Sequence, residues 1–312
     1  MHRNTVDWAG YIPAITTPFT RGGALDWAAL DTQLQWYLQE RMHGVVLAGT
    51  SGEWFSLSAA ERAELFAQAG RMIAGRITVL GGCNAYTAAE AIGHARAAER
   101  AGLDGILLTP PPYIVPSRRE LVQFYTDVSD ATDIPICIYN WPRGCVVDMD
   151  VELLEELAGI DHVVAIKNST GNFALFLQGA YALRDKVRYF NMPTTELGAD
   201  LARLGVSDGL MGAGGVLGAD HPDFWRRLAA GDKAGALVLG ERDRVLMKAW
   251  FNQDFAGRFG SAQAILKTAL RLRGVPAGHV RRPLLELTAD EVAQVRATLE
   301  GLGIATTALA GA

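Results

Sequence analysis

Three groups of residues have the types and spacing to do chemistry together. Lys167 ends an apolar run, VVAIK (163–167), and the chain then turns polar through NSTGN (168–172). Tyr139 ends another, PICIY (135–139), one unit earlier, and Gly49-Thr50-Ser51-Gly52-Glu53 follows the apolar stretch that begins at Gly44. A lysine with the ordinary pKa of about 10.4 is a weak nucleophile at neutral pH. At the end of a buried strand, desolvation disfavours the ammonium and frees the amine to attack a carbonyl. A phenol beside it can move the protons that form and dehydrate a carbinolamine. The Gly-Thr-Ser-Gly run offers backbone N–H groups, two hydroxyls and close approach, which suits a carboxylate.

Each feature alone has a plainer reading. A strand-end lysine is more often solvated, by roughly three to one, and a lone tyrosine is most often a rim or core aromatic. The Thr-Ser-Gly-Glu segment read alone is a turn with a helix cap. What favours the chemical reading is that all three fall where successive apolar runs end.

The six histidines are scattered, with neither HExxH nor a carboxylate–histidine cluster, so no metal site is expected. There is no GxSxG of a serine hydrolase. The formal net charge of −5 argues against nucleic acid or an anionic membrane as partner. No 18-residue apolar stretch and no signal-peptide core occur, and three cysteines without CxxC spacing fit a reducing cytoplasm. Cys137 reads as a small core residue, and Cys145, after a Pro-Arg-Gly turn, as an accessible loop position.

The elements that must position these residues alternate with a regular beat. Strand-like runs fall at 11–17, 44–49, 77–82, 105–110, 135–140, 163–168, 187–191 and 208–214. Helical periodicity fills the gaps, for instance 27–41, 58–74, 88–101, 117–131 and 149–158. Ser58 with Glu61, and Ser117 with Glu120, have capping-box spacing and mark helix starts. Eight strand–helix units of even length, without GxGxxG after the first strand, predict an α/β fold, a (β/α)8 TIM barrel over residues 1–231. Residues 232–312 read as a helical region docked on it, with helices at 232–250, 261–273 and 288–302 and a frayed TTALAGA tail. In such a barrel the site lies at the C-terminal strand ends. Gly212-Ala213-Gly214-Gly215 after strand 8 either cradles a phosphate or permits tight packing.

GTSGE (49–53), YNWP (139–142) and AIKNSTGN (165–172) resemble the signature segments of the dihydrodipicolinate synthase and N-acetylneuraminate lyase family. These are class I, Schiff-base-forming aldolases that use pyruvate, and the resemblance runs from PAITTPF to the C-terminal helices. It implies that Lys167 is the Schiff-base lysine, needing no cofactor, and that Tyr139 is the proton-shuttling phenol. It implies that Gly49, Thr50 and Ser51 hold the keto-acid carboxylate and that the Met211 carbonyl faces the bound acid. Tyr113, in TPPPYIVPS, resembles the tyrosine that crosses a subunit interface to complete a relay with Thr50 and Tyr139. The partner would then be a second copy of the chain, in a homodimer or homotetramer.

Arg143 resembles the arginine that binds the second substrate's carboxylate in the dicarboxylate-forming synthase, but that arginine stands two residues beyond the proline, and Arg143 follows Pro142 directly. Pro111-Pro112 replace paired tyrosines, and Asn191-Met192-Pro193-Thr194-Thr195 replace an acidic pair after strand 7. The resemblance therefore implies an aldolase or dehydratase acting on pyruvate, a 2-keto-3-deoxy sugar acid or a related hydroxy-keto acid. The alternatives are a synthase condensing pyruvate with aspartate semialdehyde, a non-catalytic keto-acid binder, and an aldolase for phosphorylated substrates.

Overall fold

The computed structural model describes residues 1–309. Its strands and helices alternate in chain order. They begin β1 (Gly10–Tyr11), α1 (Trp27–Gln39), β2 (Gly44–Leu47), α2 (Ala59–Ile73), β3 (Thr78–Gly82), α3 (Ala88–Arg100), β4 (Gly105–Leu108) and α4 (Arg118–Ala131). They continue with β5 (Ile136–Asn140), the one-turn α5 (Pro142–Cys145), α6 (Val151–Leu157), β6 (Val163–Asn168), α7 (Phe173–Leu183), β7 (Arg188–Phe190), α8 (Glu196–Arg203), β8 (Gly209–Leu210) and α9 (Asp220–Ala229). Three more helices follow, α10 (Lys233–Trp250), α11 (Ala262–Leu272) and α12 (Ala289–Gly301).

The eight strands pair in parallel in the order β1-β8-β7-β6-β5-β4-β3-β2. Bridges from Ala14 to both Val46 and Ala213 bring the first strand region against the second and close the barrel. The Val46 N–H donates to the Pro13 carbonyl at 2.8 Å, and the Ile15 N–H to the Val46 carbonyl at 3.0 Å. Strand 1 is nonetheless shorter than the expected 11–17, because Pro13 and Pro18 have no N–H to give a ladder. Strand 8 stops at Leu210 and not at 214, where Gly214 and Gly215 take positive φ.

Both faces of the sheet are covered, which is why its strands read as unbroken apolar runs. Ile138 and Ile166 face the helices, whereas Ile12, Val46, Leu80, Leu107, Cys137, Phe190 and Met211 form a separate inner cluster. Trp8 belongs to this inner cluster and lies over Gly105, where a Cβ would come within 2.4 Å of its ring. The period of two therefore turns Tyr139 on β5 and Lys167 on β6 inward, and the two are register partners.

The capping boxes form as read. In the first, the Ser58 N–H donates to Glu61 Oε2 at 2.9 Å and the Glu61 N–H to Ser58 Oγ at 3.2 Å. The Ser117 N–H donates to Glu120 Oε2 at 2.7 Å. The C-terminal helices share a second core of Trp250, Phe251, Ile265, Leu266, Leu270, Val295 and Leu299. The start of the TTALAGA segment is tied down and not frayed: the Thr307 N–H donates to the Leu272 carbonyl at 2.7 Å, and Arg296 Nη1 to Thr306 Oγ1 at 2.5 Å. Its last three residues, 310–312, lie outside the described ones. No helix among the described residues is long and apolar enough to cross a membrane.

Candidate active site

Lys167 reaches the barrel mouth from β6 and is only 6% exposed. Its Nζ lies 4.1 Å from the centroid of the Tyr139 ring, and among the described residues it forms no ion pair. Burial pushes the ammonium down to about 8, so an appreciable share is free amine near neutrality. The Cys137 thiol below it is pushed up to about 12 by burial and stays protonated.

Burial raises the Tyr139 phenol above its ordinary value, against the lowering influence of the Ser169 and Thr50 hydroxyls. The resting group is therefore a proton donor with two hydroxyls beside it. Trp141 stacks on Tyr139, with ring centroids 5.5 Å apart.

The loop after Lys167 is fixed from three sides. Asn140 Nδ2 donates to Asn168 Oδ1 at 3.0 Å and to Asp148 Oδ1 at 2.9 Å. Thr170 Oγ1 donates to Asp148 Oδ2 at 2.7 Å, and Asn191 Nδ2 to Ser169 Oγ at 2.6 Å. Sequence reasoning assigned none of these groups a role. The polar NSTGN run was the available signal, but their partners come from other strand ends.

Thr50 and Ser51 line the same cavity, which has a volume of about 820 Å³. Among the described residues, neither of their backbone N–H groups donates to a protein acceptor, so both are available to a ligand. The turn is held from behind. Gln263 Nε2 on α11 donates to the Thr50 carbonyl at 2.9 Å, and the fully buried Glu53 pairs with Lys267 of α11 at 2.5 Å. Gly49 is not in the cavity wall. Its carbonyl accepts from the Gly52 N–H at 3.0 Å, so it shapes the turn and does not touch the space a ligand would fill.

Met211 lines the cavity from just beyond β8, its N–H donated to Asn191 Oδ1 at 3.3 Å. Arg143 is also in the wall, with its Nε 3.1 Å from Asp254 Oδ2. Tyr113 is not brought to the site within one chain. It is 89% exposed at φ +76°, beside exposed Ile114 and Val115. Cys145 is buried at 2% and not accessible, because the one-turn helix α5 folds it inward. The glycines after strand 8 serve packing: a Cβ on Gly215 would lie 3.0 Å from Tyr37, and one on Gly214 2.9 Å from Leu266.

The geometry is thus a barrel mouth with a buried amine against a phenol, opposite a turn with two free N–H groups. The dihydrodipicolinate synthetase family matches residues 7–302. The chain belongs to that family. As a family member it is a Schiff-base-forming lyase of the class I aldolase type. Among dihydrodipicolinate synthetase relatives, it is 32% identical over 307 residues to a 4-hydroxy-tetrahydrodipicolinate synthase from Gluconacetobacter diazotrophicus, covering 96% of this chain and 99% of that one. It is 29% identical over 301 residues to an uncharacterized DapA-like lyase of Rhizobium meliloti, covering 96% and 98%. A solved dihydrodipicolinate synthase from Acinetobacter baumannii, in complex with pyruvate, superposes with a TM-score of 0.84 at 27% identity, covering 95% of this chain and 99% of that one.

Proposed function

We propose that this lyase acts on a 2-keto-3-deoxy sugar acid or a related hydroxy-keto acid, or releases or takes up pyruvate, through an imine on Lys167. The supporting observation is the buried Lys167 amine, without a counter-charge, in register with Tyr139. The amine attacks C2 of the keto acid, and Tyr139 donates the proton that lets the carbinolamine hydroxyl leave as water. The Thr50 and Ser51 N–H groups and hydroxyls hold the C1 carboxylate, and the Met211 carbonyl faces the bound acid. In the iminium, electrons from the C3–C4 bond flow to nitrogen when the Tyr139 phenolate takes the C4 hydroxyl proton. An aldehyde leaves, the enamine is protonated at C3, and water releases pyruvate from Lys167. Loss of a hydroxyl from the same imine would give the dehydratase outcome.

Tyr113 enters this scheme from a second copy. Its exposed position, next to Ile114 and Val115, suits a side chain that crosses an interface to extend the Tyr139–Thr50 relay. The rival reading, condensation of pyruvate with aspartate semialdehyde, draws on Arg143 in the same cavity wall. Its guanidinium already engages Asp254, which weighs against recognition of a second carboxylate. Incubation with a panel of 2-keto-3-deoxy acids, and separately with pyruvate plus aspartate semialdehyde, decides between them. Pyruvate release from the deoxy acids supports the proposal, and condensation alone overturns it in favour of the synthase.

A further inference from the structure

The cavity does not end at the amine. Beyond Leu210, Met211 and Gly212 its wall includes Tyr11 from β1, His221 from α9 and Asp243 from α10. His221 Nε2 lies 2.9 Å from Asp243 Oδ1, and Thr194 Oγ1 donates to Asp243 Oδ2 at 2.7 Å. Burial would raise the Asp243 carboxyl, but the charge and hydrogen bond of His221 and the Thr194 hydroxyl outweigh it and hold it below its ordinary value. An ionised Asp243 accepts from Nε2–H, which fixes the imidazole ring and leaves Nδ1 as its second polar atom. The Tyr11 ring stacks on the imidazole, with centroids 4.1 Å apart and planes 10° from parallel.

Two buried polar atoms here, His221 Nδ1 and the Tyr11 hydroxyl, have no hydrogen bond of ordinary geometry among the described residues, although the Gly215 backbone approaches the phenol closely enough to favour its ionised form. Tyr11 is 1% exposed and His221 6%. Buried polar atoms are rarely left unpaired, and this pair stands on one wall of the space that holds the reactive amine. Among the described residues, the only lysine or arginine side chains lining the cavity are Lys167 and Arg143. The far end, where the Asp243 carboxylate is already engaged by His221, therefore offers a second acidic group no lysine or arginine and suits a neutral hydroxyl, which can hydrogen-bond to both atoms.

We infer that Tyr11 and His221, with Asp243 and Thr194 as positioning residues, form a subsite for an uncharged hydroxyl on the distal tail of the keto acid. The inference rests on the imine reading above and narrows it to hydroxylated, non-acidic tails. The test is the concentration that half-saturates borohydride-trapped adduct on the chain, read by intact mass, which does not require turnover. It is measured with pyruvate, with a six-carbon 2-keto-3-deoxy acid, and with its homologue lacking the terminal hydroxyls. Tyr11→Phe removes only that oxygen and keeps the ring that stacks on His221, so the variant should fold, which a thermal melt checks.

In the wild type the hydroxylated acid should half-saturate below its deoxy homologue. In Tyr11→Phe that advantage should shrink by about five-fold, the scale of one lost hydrogen bond, while the pyruvate value stays put. An unchanged ratio would mean that the two atoms serve only an ordered water, and would overturn the subsite while leaving the imine intact. No adduct on the wild type with any keto acid would refute the imine reading and the subsite with it.

Discussion

The turn that presents Thr50 and Ser51 rests on a buried ion pair whose removal has a calculable effect. Glu53 is fully buried at φ +55° and Lys267 is 1% exposed. Lys267 Nζ donates to Glu53 Oε1 and to the His279 carbonyl, each at 2.5 Å, and the Arg281 N–H donates to Glu53 Oε2 at 3.0 Å. Burial pushes the Lys267 ammonium down to about 8 despite the Glu53 charge, so it remains mostly charged at pH 7. In Lys267→Met, Glu53 Oε1 and the His279 carbonyl lose their donor in a place water does not reach. Breaking one side of such a pair costs about 3–5 kcal/mol. The double variant Glu53→Gln/Lys267→Met removes both charges and should recover at least about 2 kcal/mol of that loss, because a matched neutral pair carries little desolvation penalty.

Urea unfolding of wild type, both single variants and the double variant closes the cycle. Pyruvate half-saturation of the trapped adduct, measured on the folded Lys267→Met fraction, should rise as the turn loosens. If Lys267→Met unfolds within about 1 kcal/mol of wild type and the double variant is no better than the single, the pair does not hold the turn and the argument fails.

Other outcomes follow from the same geometry. Tyr139→Phe should lower turnover by about 10²–10⁴-fold while pyruvate half-saturation moves little, and equal loss in both would assign Tyr139 to binding. Because burial lowers Lys167 to about 8, the adduct rate should rise with pH to a half-maximum near 8 and flatten above it. At pH 7 the free amine would be about 200-fold more abundant than for an ordinary lysine, and a half-maximum above pH 10 would show an unshifted group. Arg143→Met frees Asp254 and should leave turnover of non-acidic keto acids within about three-fold, whereas a synthase would lose about 2 kcal/mol of dicarboxylate recognition.

The barrel was legible because its evidence is local and repeated: apolar runs at even spacing, capping boxes at Ser58 and Ser117, and one unit between Tyr139 and Lys167. Adjacent strands of a parallel barrel place such residues in register, so spacing alone joined them. What escaped joins residues far apart in the chain. Asp254 meets Arg143 across 111 positions and Lys267 meets Glu53 across 214, and neither acid nor base is marked by its neighbours. His221 counted only among six scattered histidines and Asp243 was not singled out, and only the packing of α10 on α9, and of α9 on β1, brings them to one wall. Gly49 was legible only as part of a turn. Its place in GTSGE marks a tight turn, but only the fold shows that the turn points its next two residues, and not the glycine, at the cavity.

The most direct test of the central claim is reduction with borohydride in the presence of pyruvate, followed by intact-mass and peptide analysis. The account predicts one pyruvate-derived addition per chain, on Lys167, absent from Lys167→Ala although that variant keeps its fold. No adduct, or an adduct on another lysine such as Lys267, would contradict it.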